Sequence, residues 1–280
     1  MADPRLTPAR GDIAARHLQG QVTAERFVEG ETLVVTDPIA PLRQQPFSSA
    51  ELATQALKGE RVTIYDRNGE GWAWGQLAAD SYVGWLPEAA LAASAAAPTH
   101  RIIALRTFAF PGPSIKLPPL ETLLMGSTLA VTHEDASFVV AAEGWFVPKQ
   151  HVAGLDHVEP DYVAVAERFV GTPYLWGGKS SLGIDCSGLV QVALNAAGLE
   201  CPRDSDMQLA SLGRALADDE KSARGDLIFW KGHVAIISAA DTLVHANAFH
   251  MATQFEPIAE AIARIKASGS EVLAIKRLRS

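Results

Sequence analysis

From Glu31 onward, apolar and polar positions alternate with a period of two, in short runs separated by turn residues. Thr32 to Val35, Glu60 to Tyr65, Gly71 to Leu77 and Ser81 to Leu86 are the clearest runs, and Arg67-Asn68-Gly69 is a turn between two of them. Short strands at this spacing predict a small closed barrel. A weaker copy follows. Pro41-Leu42-Arg43 and Ala104-Leu105-Arg106 begin the two units, and Gly59-Glu60 and Gly126-Ser127 mark their middles. Gly84-Trp85-Leu86-Pro87 and Gly144-Trp145-Phe146-Val147-Pro148 close them, with Trp85 matched to Trp145. Before the first unit, residues 1–30 mix proline, glycine and charge around one helical candidate, Asp12 to Leu18. Between the units, Leu91 to Thr99 reads as a linker or a short helix stopped by Pro98.

After Asp161 the period lengthens. Asp161 to Val170 is a helix candidate, and Leu189 to Ala197 is apolar almost all the way round and ended by Gly198, which places it inside a domain. A second helix is expected near Ser205 to Leu216 and another over Pro257 to Lys266, with strands at Asp226 to Trp230, His233 to Ile237, Leu243 to Ala246 and Glu271 to Ile275. Helices followed by a run of strands make an α+β arrangement. The expected division is therefore an extension (1–30), two small all-β units (31–92 and 100–155) and an α+β domain (160–280).

The chemistry gathers at the start of the buried helix. Cys186 sits at its threshold, Asp185 is placed to cap it, and a thiol facing unpaired amides at the positive end of a helix is expected to titrate low. Gly177-Gly178 just upstream is the kind of approach a backbone needs where something comes close. Downstream, His233 and His245 lie in two neighbouring strand candidates. They stand directly opposite each other only if Ile237 pairs with Asp241, leaving Ser238-Ala239-Ala240 as a three-residue loop. One imidazole then takes the thiol proton while the other orients it, the logic of cysteine hydrolases. A zinc site from Cys186, Cys201, His233 and His245 lacks a closely spaced ligand pair, so no metal and no cofactor are expected. The two cysteines read as a reduced pair, with Cys201 structural.

Composition narrows the partners. The chain has 280 residues, 48% hydrophobic and 20% charged, with net charge −8. That balance argues against nucleic acid, whose phosphates demand a basic face. No stretch has the length and apolarity of a membrane span, and Met1 to Arg10 carries no apolar leader, so a cytoplasmic protein without a membrane partner is expected. Oligomeric state is left open.

Several separated motifs, in order, resemble the NlpC/p60 family of cysteine peptidases: Pro173-Tyr174-Leu175-Trp176-Gly177-Gly178, Asp185-Cys186-Ser187-Gly188-Leu189-Val190, Pro202-Arg203-Asp204-Ser205, Arg224 to Phe229, Gly232-His233-Val234-Ala235-Ile236 and Val244-His245-Ala246. The front units resemble bacterial SH3 domains. The resemblance implies an α+β papain-like catalytic domain preceded by two small all-β SH3-like barrels. Cys186 is implied as nucleophile, His233 as base, His245 as its orienter and Tyr174 as an oxyanion donor. Murein-derived peptides of the form L-Ala-γ-D-Glu-diamino acid are the implied substrates, cut after γ-D-Glu.

Asp185, Ser187 and Ser205 are placed beside the nucleophile by the family pattern, where a carboxylate pairs with the peptide's free amine. Trp176 is a pocket wall or core, and Arg203 meets a substrate carboxylate or pairs with Asp204 or Asp206 at the surface. Glu51 and Tyr82 of the first barrel are implied at the wall that closes the cleft to all but free N-termini. The alternatives are an exported wall endopeptidase of the same chemistry and a wall-binding module with a dead catalytic domain.

Overall fold

The computed structural model describes residues 3–93, 96–217 and 219–278. The chain divides into two compact units, Met1–Asp156 and His157–Ser280.

In the N-terminal unit, the first β segment is a seven-stranded antiparallel sheet in the spatial order Leu52–Leu57, Ile39–Arg43, Val83–Pro87, Trp72–Leu77, Arg61–Arg67, Glu31–Val35, Leu91–Ala92. Alternate residues point inward, so Ala40, Leu42, Val62, Ile64, Leu77 and Leu86 are buried. Leu91–Ala92, expected in a linker, pairs with Val34 and Val35, and Ser94 and Ala95 lie outside the described residues.

The N-terminal extension is part of this unit. Arg10 places its guanidinium 4.5 Å from the Trp74 ring centroid and 4.9 Å from that of Trp85, and it bonds Asp66 at 2.5 Å. The helix expected over Asp12 to Leu18 is instead the strand Ile13–Ala15 and a single 3₁₀ turn, Arg16–Leu18. Ile13, Ala14 and Ala15 are all fully buried, and burying three consecutive residues outweighs alanine's helix preference.

The second β segment has the same closing sequence of elements as the first. Val83–Pro87 leads through the 3₁₀ turn Glu88–Ala90 to Leu91–Ala92, and Phe146–Pro148 leads through Lys149–His151 to Val152–Gly154. Its core is Ile102, Ala109, Leu123, Leu129, Val139 and Val147. This corrects the expected alignment of the copies by one residue. Trp85 pairs with Arg43 and Phe146 bridges Phe110, so Trp85 corresponds to Phe146 and not to Trp145. A one-residue slip turns every side chain of a strand over. Trp145 instead meets Lys58, whose ammonium lies 4.5 Å from its ring centroid and 3.1 Å from Glu121. Thr128 donates its amide to Lys58 at 2.9 Å, beside Gly59 at φ +82°, where a Cβ would fall 2.2 Å from Thr128 Oγ1. Only glycine fits that junction.

The C-terminal unit starts with helix α1 (Tyr162–Glu167), capped by the Asp161 carboxylate, and helix α2 (Cys186–Ala196), which ends at Gly198 with φ +74°. Helix α3 (Ser205–Ser211) is shorter than the expected Ser205 to Leu216. Gly213, at φ +49°, lies so close to the Arg277 carbonyl that the chain leaves the helix and adds Arg214–Ala215 to the sheet. The antiparallel sheet runs Arg214–Ala215, Val272–Arg277, Leu227–Trp230, His233–Ala239, Thr242–Asn247, Ala252–Pro257. Ile228, Trp230, Ala235, Ile237 and Leu243 pack on Ala261 and Ile265 of helix α4 (Ile258–Ala267). Helix α2 packs against the strands His233–Ala239 and Thr242–Asn247.

Candidate active site

Cys186 is the first residue of α2. Asp185 is its N-cap and accepts the Gly188 amide at 2.7 Å, so the expected cap is present. The approach to it is a folded hairpin. Leu175 donates to Ile184, Gly178 accepts from Asp185, and a Cβ on Gly178 would lie 2.4 Å from the Gly183 carbonyl oxygen. A Cβ on Gly188 would lie 2.3 Å from the Gly178 carbonyl oxygen. The glycines therefore admit the protein's own backbone behind Cys186.

The thiol does not titrate low. Burial pushes Cys186 up to about 12, helped by the Asp185 charge and opposed by the Val234 and Ser187 amides and by Arg203. At a 7% exposed site, loss of water outweighs the helix end. The Val234 amide that faces the sulfur belongs to the residue after His233, which brings that strand's start to the Cys186 thiol. Tyr174 is close enough for the Cys186 charge to act on it. Burial first, then Cys186 and Asp185, raise its phenol far above the ordinary range, so it stays a donor.

His233 and His245 come together, but not through the expected register. Ile236 pairs with Val244 and Ile237 with Leu243, then a bulge brings Ala239 to Thr242. The turn is Ala240-Asp241, and His233 sits diagonally from His245, two positions off its opposite residue. On one face of a sheet such diagonals are in reach, and His233 Nε2 is 2.9 Å from His245 Nδ1. Trp230 stacks behind His233 at 5.5 Å between centroids. Burial holds both rings neutral, His233 at about 3 and His245 at about 4, with Glu256 working against the shift in each.

Two residues in this chain of contacts were not expected from the sequence. His245 Nε2 is 2.9 Å from Glu256 Oε2, and Arg264 holds Glu256 with bonds of 3.0 and 2.6 Å. Glu256 is 7% exposed, yet Arg264 and His245 keep its carboxyl below the usual range against the effect of burial. Its strand, Ala252–Pro257, was not predicted. The alternation Thr253, Phe255 against Gln254, Glu256 was the available signal.

Asp185, Ser187 and Arg203 form a closed knot. Arg203, 1% exposed, donates to Asp185 Oδ1 and Oδ2 at 2.9 and 2.7 Å, to Ser187 Oγ at 2.9 Å and to the Gly178 carbonyl at 3.2 Å. Gly177 donates to Asp185 Oδ2 at 2.8 Å. This corrects two expectations. Arg203 is neither at the surface nor free to meet a substrate carboxylate, and the Asp185 charge that was to pair with a peptide amine is matched from within.

Trp176 is 59% exposed, which removes it from the core, and Ser205 is half-buried at the start of α3. Glu51 and Tyr82 belong to the N-terminal unit, Glu51 exposed just before Leu52–Leu57 and Tyr82 6% exposed just before Val83–Pro87.

Cys201 is buried, with its sulfur turned to the Pro202 carbonyl, and neither cysteine is in a disulfide. Among the described residues, the donor atoms of His245, His250 and Glu256 lie within 4.8 Å of one another. Arg264 already occupies both oxygens of Glu256, so a cation entering there would meet a guanidinium. No described helix is long and apolar enough to cross a membrane.

The chain is similar to known proteins in both of its units. Residues 171–266 match the NlpC/P60 family and residues 42–91 match the bacterial dipeptidyl-peptidase SH3 domain. A γ-D-glutamyl-L-lysine dipeptidyl-peptidase of Bacillus cereus is 28% identical over 242 residues, which is 74% of this chain and 71% of that protein. Dipeptidyl-peptidase 6 of Lysinibacillus sphaericus is 32% identical over 151 residues, 48% of this chain and 55% of that protein. The crystal structure of an NlpC/P60 family protein from Bacillus cereus shares the fold with TM-score 0.76 at 22% identity, covering 89% of this chain and 99% of that one.

Proposed function

Since the chain is a cysteine peptidase of the NlpC/P60 family carrying a bacterial SH3 domain, we propose that it hydrolyses the γ-D-Glu–diamino acid bond of murein peptides with a free N-terminal L-Ala, releasing L-Ala-γ-D-Glu, in the recycling of wall peptides in the cytoplasm. The observation that carries this reading is a similarity to γ-D-glutamyl-L-lysine dipeptidyl-peptidase that extends over 242 residues, beyond the peptidase match alone.

The mechanism proposed runs through Cys186, His233, His245 and Tyr174. Cys186 Sγ attacks the carbonyl carbon of γ-D-Glu as His233 takes the thiol proton, so no buried ion pair need form in advance. Proton transfer by a positioned imidazole contributes about 10²- to 10⁴-fold. The oxyanion is received by the Cys186 amide at the helix start and by the Tyr174 hydroxyl. His233 returns the proton to the departing amine, leaving a thioester. Water then attacks with His233 as base, the C–S bond breaks, and the thiol regains its proton. His245 holds the His233 ring through the 2.9 Å bond.

Recognition is assigned to both ends of the chain. Trp176, exposed beside Tyr174, lines the peptide, and Ser205 offers a hydroxyl. Glu51 and Tyr82 of the first barrel are assigned to selection of the free amine on the strength of the family resemblance. The segment 100–155 is read as a second SH3-like barrel, and the C-terminal unit as papain-like.

The test is incubation with L-Ala-γ-D-Glu-meso-diaminopimelate, free and N-acetylated, with products identified by mass. Cleavage of the free peptide alone is expected. Cleavage of both contradicts the amine requirement and moves the protein to the open-cleft wall endopeptidases. Cleavage of neither contradicts the peptidase reading and favours a wall-binding module.

A further inference from the structure

We propose that Glu256, clamped by Arg264, is the positioning residue that fixes the proton arrangement of the two-histidine relay. The proposal rests on the reading of Cys186 and His233 as nucleophile and base, and it concerns how that base is made ready.

The argument is one of hydrogen-bond polarity. Glu256 is an ionised carboxylate and can only accept, so the 2.9 Å contact requires the hydrogen on His245 Nε2. A neutral imidazole carries one hydrogen, which leaves His245 Nδ1 bare and accepting. The 2.9 Å contact from His233 Nε2 to that atom then requires the hydrogen of His233 on Nε2. His233 Nδ1 is left as the one lone pair on that ring available to a thiol. A single carboxylate, two residues removed from the base, thus decides which nitrogen of His233 is basic.

The clamp makes that decision firm. Arg264 Nε and Nη2 donate to the two oxygens of Glu256, and the guanidinium is stacked on the Phe249 ring at 4.5 Å from its centroid. The carboxylate is therefore ionised and fixed in direction. Among the described residues, His250, in the turn after Thr242–Asn247, is the further titratable group that acts on His245, and Cys186 meets this strand through the Val234 amide. None of them supplies a second acceptor to His245 Nε2 among the described contacts. Without Glu256 the two tautomers of His245 become close in energy. The wrong one sets two N–H groups against each other across the His233–His245 contact, and the His233 ring loses its anchor.

The direct test is the ¹⁵N and ¹H spectrum of the imidazoles in wild-type protein labelled at histidine, near neutral pH. The expected result is a hydrogen on Nε2 and a bare Nδ1 for both His233 and His245. A hydrogen on His245 Nδ1 overturns the proposal. This readout needs neither a variant nor a substrate, so it stands even if no murein peptide is cleaved.

A second test is Glu256→Gln, whose amide can turn to present a donor to His245. A mixed or reversed His245 tautomer is expected, with kcat lowered about 10²-fold or more and KM little changed. Arg264→Lys, which keeps the charge but not the fork, is expected to retain the wild-type tautomer and a large part of kcat. Wild-type kcat and tautomer in a folded Glu256→Gln protein would overturn the assignment.

Discussion

Asp185 receives both terminal nitrogens of the Arg203 guanidinium, at 2.9 and 2.7 Å, one residue before Cys186 and with the arginine 1% exposed. The same carboxylate accepts the Gly177 and Gly188 amides, so a single charge pair ties the glycine hairpin to the first turn of α2. Removing one partner of such a pair strands the other charge in the interior. Arg203→Ala is therefore expected to cost about 3–5 kcal/mol of folding stability. Urea denaturation checks this, and a loss below about 1 kcal/mol would mean that water replaces the guanidinium at no cost.

Tyr174 keeps its proton at every working pH, because burial and the neighbouring Cys186 and Asp185 disfavour the phenolate. The proposed role as a donor to the oxyanion predicts that Tyr174→Phe lowers kcat about 10²- to 10³-fold with KM nearly unchanged. Steady-state kinetics on the free tripeptide decide it, and an unchanged kcat would leave the Cys186 amide as the sole donor of the two named here.

The Cys186 thiol and the His233 imidazole are both held neutral, Cys186 by burial at about 12 and His233 by burial at about 3. Alkylation of Cys186 by iodoacetamide without substrate is expected to be slow at neutral pH. Its rise with pH should show no inflection below the ordinary thiol value of about 8.5. A plateau already reached at pH 7 would show a preformed thiolate and contradict the closed, dry site.

Neutral buried histidines also set the response of stability to acid. The unfolded chain takes up protons as pH falls through about 6.5, while folded His245 and His233 resist down to about 4 and about 3. The unfolded state thus binds more protons in this window, so stability is full above it and is lost progressively as pH falls. The urea midpoint should fall between pH 7 and pH 4.5, with a shallower slope in His245→Gln. A flat midpoint in the wild type would show that the rings are solvated.

Much of this was legible in the sequence because the signals were local. The apolar run after Cys186, the stop at Gly198 and the alternation around His233 and His245 each report on their own element, and Asp185 is the cap its position implied. What the sequence hid was set by non-local geometry. The His233–His245 contact is diagonal because a bulge after Ile237 shortens the turn, and a bulge leaves no mark in an apolar–polar pattern. The thiol titrates high because α2 is packed closely enough to exclude water, which outweighs the helix end that the sequence displays. Glu256 was missed because polarity and burial run opposite ways in its strand, Phe255 exposed and Glu256 buried, and its meaning comes from His245 and from Arg264 on α4. The second copy was misaligned by one residue because Trp145 resembles Trp85 in type, while the fold places Phe146 in its position, two residues before the proline that precedes the 3₁₀ turn.

The central claim is that the Cys186 sulfur is the atom that takes the acyl group. The most direct measurement is rapid acid quenching during turnover of L-Ala-γ-D-Glu-meso-diaminopimelate, followed by proteolysis and mass spectrometry of the fragment bearing Cys186. The account predicts a thioester-linked L-Ala-γ-D-Glu on that cysteine, and none in Cys186→Ala, which should also be inactive. Full cleavage by Cys186→Ala would contradict it.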